Sequence, residues 1–273
     1  MAECFNQYFL HNGKVLERDV FELPVNFSIL LYEVIRVING RAVFIEDHIE
    51  RLLHSAKIKE VSQFFINSEV ANEIDMLINS NKHIDGNIKL EYYIQGNNCE
   101  RFLYYIKHSY PSIEMYQKGV TTISYKAIRS NPNVKQLHVS IKENIDKLFK
   151  DNDIYEVLLV NENGFITEGS KSNIFFIKGR TLYTASDELV LKGITRKFVI
   201  QAILNLGFEI KFEAVSIENI EKFDAVFLCG TSPKVLAINQ INNIQFLTSN
   251  NILQAITDEY DRILNNSTQK MKI

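Results

Sequence analysis

The sequence predicts a two-domain protein of the α+β class on three observations. Asn12-Gly13 and Asn39-Gly40 each sit between short apolar runs, the pattern of a two-residue β-hairpin. The apolar period then changes at Glu46, where Ile49, Leu52, Leu53 and Ala56 recur at helical spacing. Finally, His108-Ser109-Tyr110-Pro111-Ser112 interrupts both patterns, dividing the chain into an N-terminal α/β domain, residues 1–110, and a C-terminal domain, residues 119–273.

In chain order, the first hairpin pairs Gln7–Leu10 with Lys14–Leu16, and the second pairs Tyr32–Ile38 with Arg41–Ile45. A helix follows from Glu46, with Glu46 and Asp47 suited to the positive end of its dipole, and a second spans Ser68–Ile78. Strands Ile88–Ile94 and Phe102–Ile106 flank the polar tip Gly96-Asn97-Asn98. The second domain opens with strand Thr121–Ala127, turns at Ser130-Asn131-Pro132-Asn133 and enters a helix over Val139–Phe149. Strands are expected at Glu156–Val160, Phe165–Glu168, Asn173–Ile177 and Thr181–Thr184, then a helix over Ile194–Leu206 stopped by Gly207. Strand Glu209–Val215, a short helix near Ile217, strands Ala225–Cys229 and Val235–Ile241, and an amphipathic helix Asn250–Leu264 complete the reading.

Composition limits the function classes. The 273 residues are 46% hydrophobic and 23% charged, ordinary values for a soluble globular protein. A formal charge of −3 supplies no general attraction to nucleic acid or anionic membrane, so neither is an expected partner. The apolar runs, such as Phe27–Leu31 and Ala225–Cys229, are far shorter than the roughly 20 residues of a membrane span. The first residues lack a basic lead and apolar core of a secretory signal. Cys4, Cys99 and Cys229 are odd in number and widely spaced, which reads as reduced thiols with no metal site. A cytoplasmic location is expected.

The segment richest in chemistry runs Glu168-Gly169-Ser170-Lys171-Ser172-Asn173-Ile174-Phe175, then Leu182-Tyr183-Thr184, then Leu191-Lys192-Gly193-Ile194-Thr195-Arg196. It resembles the class-IV aminotransferase signature at every specified position, both variable gaps included. The resemblance extends from the Asn39-Gly40 hairpin to Gly230-Thr231-Ser232: Asp47-His48-Ile49-Glu50-Arg51-Leu52 is similar to the family's H-x-x-R-L helix, and Pro132-Asn133-Val134-Lys135 to the loop bearing its cofactor lysine. The resemblance implies the two-domain fold type IV, with mixed sheets and flanking helices, pyridoxal 5'-phosphate between the domains, and the C-terminal domain as the cofactor-binding one. It also implies a homodimer, and amino-group transfer between an amino acid and a 2-oxo acid through a Schiff base on Lys135.

The residues support those roles chemically. A Schiff-base lysine must spend time as the neutral amine, and Lys135 follows a stiff Pro-Asn loop ahead of a helix; the ordinary alternative is a solvated lysine. A carboxylate at Glu168 would keep the pyridine nitrogen protonated, so that the ring accepts electrons. Asn173 and Ser172 would support the site by hydrogen bonding. Gly193-Ile194-Thr195 open a helix whose first N–H groups and dipole favour the phosphate, to which the Thr195 hydroxyl adds a donor. Arg51 would add a forked contact, against the alternative of an ion pair with Asp47 on the helix surface. Thr231 and Ser232, at a strand end, complete the phosphate or substrate pocket or merely cap a turn.

The substrate side departs from the family pattern. Ser28-Ile29-Leu30-Leu31 replace a Gly-Asp-Gly-like turn, making the entrance bulkier and less polar before Tyr32, which lines the substrate pocket or sits in the core. His138 stands where relatives commonly have asparagine, as a group tuning the cofactor's phenolic oxygen or a structural one, and Val139 is closer to the D-amino-acid enzymes. Gln95 precedes Gly96 where relatives often have arginine, and Arg101 reads as an exposed hairpin residue that could substitute. Two further readings stay open: a lyase like aminodeoxychorismate lyase, and a non-catalytic protein retaining the fold.

Overall fold

A computed structural model of the chain describes residues 3–64, 67–127 and 139–269. It divides into two compact units, Met1–Ser109 with Leu264–Ile273, and Tyr110–Ile263.

The first unit is built on one antiparallel sheet. Strands β1 (Tyr8–His11) and β2 (Lys14–Glu17) turn on Asn12 and Gly13 at φ of 49° and 78°. Both values lie in the left-handed region that a type I′ turn demands, which Asn and Gly adopt most readily. Asn39 and Gly40 repeat this, at 52° and 68°, between β3 (Ile29–Ile38) and β4 (Arg41–Ala42). The β3 strand begins three residues before the expected Tyr32: with no glycine in Ser28–Leu31, it pairs with β5 (Gly86–Gln95) from Ile29↔Ile94 onward. Adding β6 (Asn98–Ile106) gives the order β2-β1-β6-β5-β3-β4.

Helix α1 (Ile45–Ile58) starts early and cuts β4 short. Its buried face is Ile45, His48, Leu52, Ser55 and Ala56, with Ile49 and Leu53 half-buried, so the face is turned slightly from the one expected. His48 belongs to it because its Nδ1 lies 2.8 Å from the Glu33 carboxylate. Helix α2 (Asn67–Ser80) follows.

The second unit opens with a helix the sequence reading lacked, α3 (Ile113–Lys118), directly after the His108–Ser112 break, in a stretch assigned to neither domain. Ser112 caps it by accepting the Met115 N–H at 3.2 Å, and Gly119 ends it at φ 74°. Strand β7 (Val120–Lys126), helix α4 (Val139–Asp151) and strands β8 (Glu156–Val160), β9 (Phe165–Gly169), β10 (Asn173–Lys178) and β11 (Thr181–Tyr183) come next. Helix α5 (Ile194–Asn205) leads to β12 (Glu209–Lys211), β13 (Val215–Ser216), β14 (Ala225–Gly230), β15 (Lys234–Ile241), β16 (Ile244–Gln245) and α6 (Asn251–Gln269). The turn expected at Ser130–Asn133 lies outside the described residues.

The sheet runs β12-β11-β10-β14-β15-β7-β8-β9-β13, with β16 paired to β15. The pairs β11–β12, β15–β7 and β7–β8 are parallel, and β8 and β10 are buried almost throughout. That burial explains why they read as unbroken apolar runs. The expected single strand Glu209–Val215 is two strands at opposite ends of this sheet, joined by Phe212–Ala214. Nine flat strands would set the ends roughly 38 Å apart at the usual inter-strand spacing. The linking chain reaches about 14 Å at most. The sheet therefore curls until its two edges approach.

Candidate active site

The family-like residues of the second unit converge at one end of its sheet. Glu168, near the end of β9, is 2% exposed, and its Oε2 accepts the Leu191 N–H at 3.1 Å. Asn173 opens β10 and points its Nδ2 to the same oxygen at 3.5 Å and to Leu191 O at 3.0 Å. Glu168, Asn173 and the loop before α5 are thereby stitched together. A Cβ at Gly193 would collide with the Asn173 amide oxygen, so the glycine is required by close approach.

Gly193 caps α5 without a side chain, and the first helical bond runs from Lys197 N–H to Gly193 O at 3.0 Å. The N–H groups of Ile194, Thr195 and Arg196 thus precede that bond, in a buried first turn that also carries the Thr195 hydroxyl. Such a terminus favours an anion. Arg196 is also buried, donating to Asp187 at 2.6 Å and to Ala185 O at 2.9 Å, which fixes the loop feeding the helix. Asp187 is partly desolvated, which on its own would raise its pKa; hydrogen bonds and charge from Arg196 and Lys192 outweigh this and lower it. Half-buried Thr231 and Ser232 directly follow β14, where Gly230 lies beside Lys171 O.

Ser172 turns its hydroxyl onto Glu156 at 2.8 Å. Glu156 carried no role in the sequence reading, although a carboxylate at the head of the apolar run Val157–Val160 was a visible anomaly. Cys229, registered opposite Asn173, is fully buried, and burial pushes its thiol up to about 12, so it stays protonated.

Two predicted residues belong to the first unit. Arg51 makes a two-pronged pair with Glu33, Nε to Oε1 at 2.8 Å and a terminal nitrogen to Oε2 at 2.5 Å. Tyr32 is half-buried with the Lys89 ammonium 5.1 Å from its ring centre, and Lys89 pairs with Glu91. Arg101 is not exposed: its side chain is 13% accessible and pairs with Glu73 and Glu69, because α2 presents those acids to β6. Lys135 and His138 lie outside the described residues.

A buried carboxylate and an uncapped helix start with a hydroxyl, joined through Asn173 and Leu191, match the two ends of pyridoxal phosphate: a protonated ring nitrogen and a dianionic phosphate. Among the described residues no helix is long and apolar enough to cross a membrane, and no group of three or more His, Cys, Asp or Glu could hold a metal ion.

Comparison with known proteins agrees with the fold. The chain superimposes on the branched-chain amino acid aminotransferase of Escherichia coli with a TM-score of 0.81 at 19% identity, covering 97% of each chain. The fold is that of the fold type IV, pyridoxal-phosphate-dependent enzymes. The amino-transferase class IV model matches residues 30–241, and the chain belongs to that family. The chain is 27% identical over 256 residues to D-alanine aminotransferase of Bacillus licheniformis, covering 85% of this chain and 88% of that protein. It is 23% identical over 257 residues to aminodeoxychorismate lyase of Bacillus subtilis, covering 86% and 87%.

Proposed function

We propose that this aminotransferase moves an amino group between an amino acid and a 2-oxo acid, with Lys135 as the lysine that carries the cofactor. When bound, pyridoxal phosphate supplies an electron sink for the substrate's α-carbon. Glu168 holds a proton on the ring nitrogen, and Asn173 holds Glu168. Gly193, Ile194 and Thr195 bind the phosphate through N–H groups and a hydroxyl, aided by Thr231, Ser232 and Arg51. Ser172 supports the turn between Glu168 and Asn173 rather than touching the cofactor. Lys135, as free amine, moves the proton at the α-carbon. Tyr32 and His138 line the substrate side. The working unit is a cytoplasmic homodimer.

The observation that carries the reading is the buried Glu168 carboxylate tied through Leu191 to the start of α5. Purified protein is expected to be yellow, bleached by borohydride, and colourless as Lys135→Ala; a protein that takes up no pyridoxal phosphate overturns the reading. D- and L-amino acids offered with pyruvate or 2-oxoglutarate fix chirality and acceptor. The likeness to a lyase supports one competing reading, for which aminodeoxychorismate is the discriminating substrate. No comparable observation favours a non-catalytic role.

A further inference from the structure

We propose that Glu156 is a positioning residue for the reaction: its buried carboxylate gathers the turn between β9 and β10 into one shape and so sets Glu168 against Asn173. The inference rests on the reading of Glu168 given above.

Glu156 opens β8, is 3% exposed and accepts from five donors. Its Oε1 takes the Val157 N–H at 2.9 Å, the Ser170 N–H at 3.2 Å and the Ser170 hydroxyl at 2.6 Å. Its Oε2 takes the Lys171 N–H at 3.2 Å and the Ser172 hydroxyl at 2.8 Å. All five are neutral amides and hydroxyls, and four come from the turn 169–172. The turn closes on itself through Gly169 N–H to Ser172 O at 2.8 Å. A Cβ at Gly169 would collide with the Ser172 hydroxyl and lie 3.0 Å from Glu156 Cδ and Cγ. The close approach of the Ser172 hydroxyl, with the Glu156 side chain just beyond it, is what demands that glycine.

A buried carboxylate is tolerated only while its hydrogen bonds are made. With these donors it is satisfied in one arrangement of the turn. Glu168 immediately precedes that turn and Asn173 immediately follows it, so its shape fixes their separation and, through the Asn173–Leu191 bond, the seat of the loop before α5. Glu156 acts on the cofactor through Glu168 and need not touch it.

The test compares holoenzymes of the wild type, Glu156→Gln, Glu168→Gln and the double variant Ser170→Ala/Ser172→Ala. In Glu156→Gln, amide exchange read by mass spectrometry should quicken across residues 168–173 and stay at the wild-type rate in β12. Its kcat should fall about ten- to a hundredfold with KM changed far less, as a small misplacement does. The pH titration of its cofactor absorbance should shift in the direction set by Glu168→Gln. The double variant should move each readout the same way by less, and it carries the test if Glu156→Gln does not fold. Wild-type exchange in the turn, or a wild-type absorbance titration and kcat, overturns the proposal. Wild-type absorbance in Glu168→Gln instead overturns the role of Glu168 itself, which the exchange data tell apart from a failure at Glu156.

Discussion

Glu33 in the first unit and Glu156 in the second are both strand carboxylates withdrawn from water, yet they are held in opposite ways. Glu33, 1% exposed, faces the Arg51 guanidinium and the His48 ring. Glu156 meets only amides and hydroxyls. An ion pair puts the outcome in one or two long side chains, and losing either strands a charge. A ring of dipoles distributes it over backbone shape, so what matters is whether a turn is formed.

The contrast sets an order of effects. Arg51→Ala should cost the most, about 3–5 kcal/mol, because it leaves Glu33 buried with its principal counter-charge gone. Urea unfolding measures this, and a loss under about 1 kcal/mol would show that Glu33 does not depend on Arg51, breaking the contrast. Glu156→Gln should cost about 2–3 kcal/mol, since one of two acceptor oxygens becomes a donor among donors. Gly193→Ala should lose about 1–2 kcal/mol by overpacking against Asn173, with a larger effect on cofactor retention seen in equilibrium dialysis.

The smallest effect should come from Asp187, whose carboxylate is half-exposed beside Arg196. Arg196 and Lys192 lower its pKa in spite of partial desolvation. A folded pKa below the unfolded one stabilises above the unfolded value and ceases to as pH falls through the folded value. Asp187→Asn should therefore lower Tm at neutral pH, by an effect below about 1 kcal/mol after solvent screening. The gap from wild type should close as pH falls beneath the ordinary aspartate range of about 4. A gap that persists in acid would mean that packing of Arg196, rather than charge, fixes the loop.

Much of this was legible in the sequence because the signals are local. Asn-Gly pairs forced two hairpins, and the spaced signature from Glu168 to Arg196 carried the family. What escaped was set by distant partners. The α3 helix is short and depends on one serine cap, so no apolar period announced it. The edges Glu209–Lys211 and Val215–Ser216 read as one strand, because nothing local says that they pair with β11 and β9 at opposite ends of a sheet. Arg101 looked exposed until α2 supplied its acids. Glu156 needed the turn opposite before its charge made sense.

The three residues between β12 and β13 also tie the fraying of one sheet margin to that of the other. In a flat sheet, outermost strands peel independently. Here a margin cannot swing outward without dragging its counterpart, and Phe212 in the link lies with its ring 5.7 Å from the Arg196 guanidinium. Local opening in this unit should accordingly be concerted, with amides of Glu209–Lys211 and Val215–Ser216 exchanging at matched rates and lengthening of the link uncoupling them.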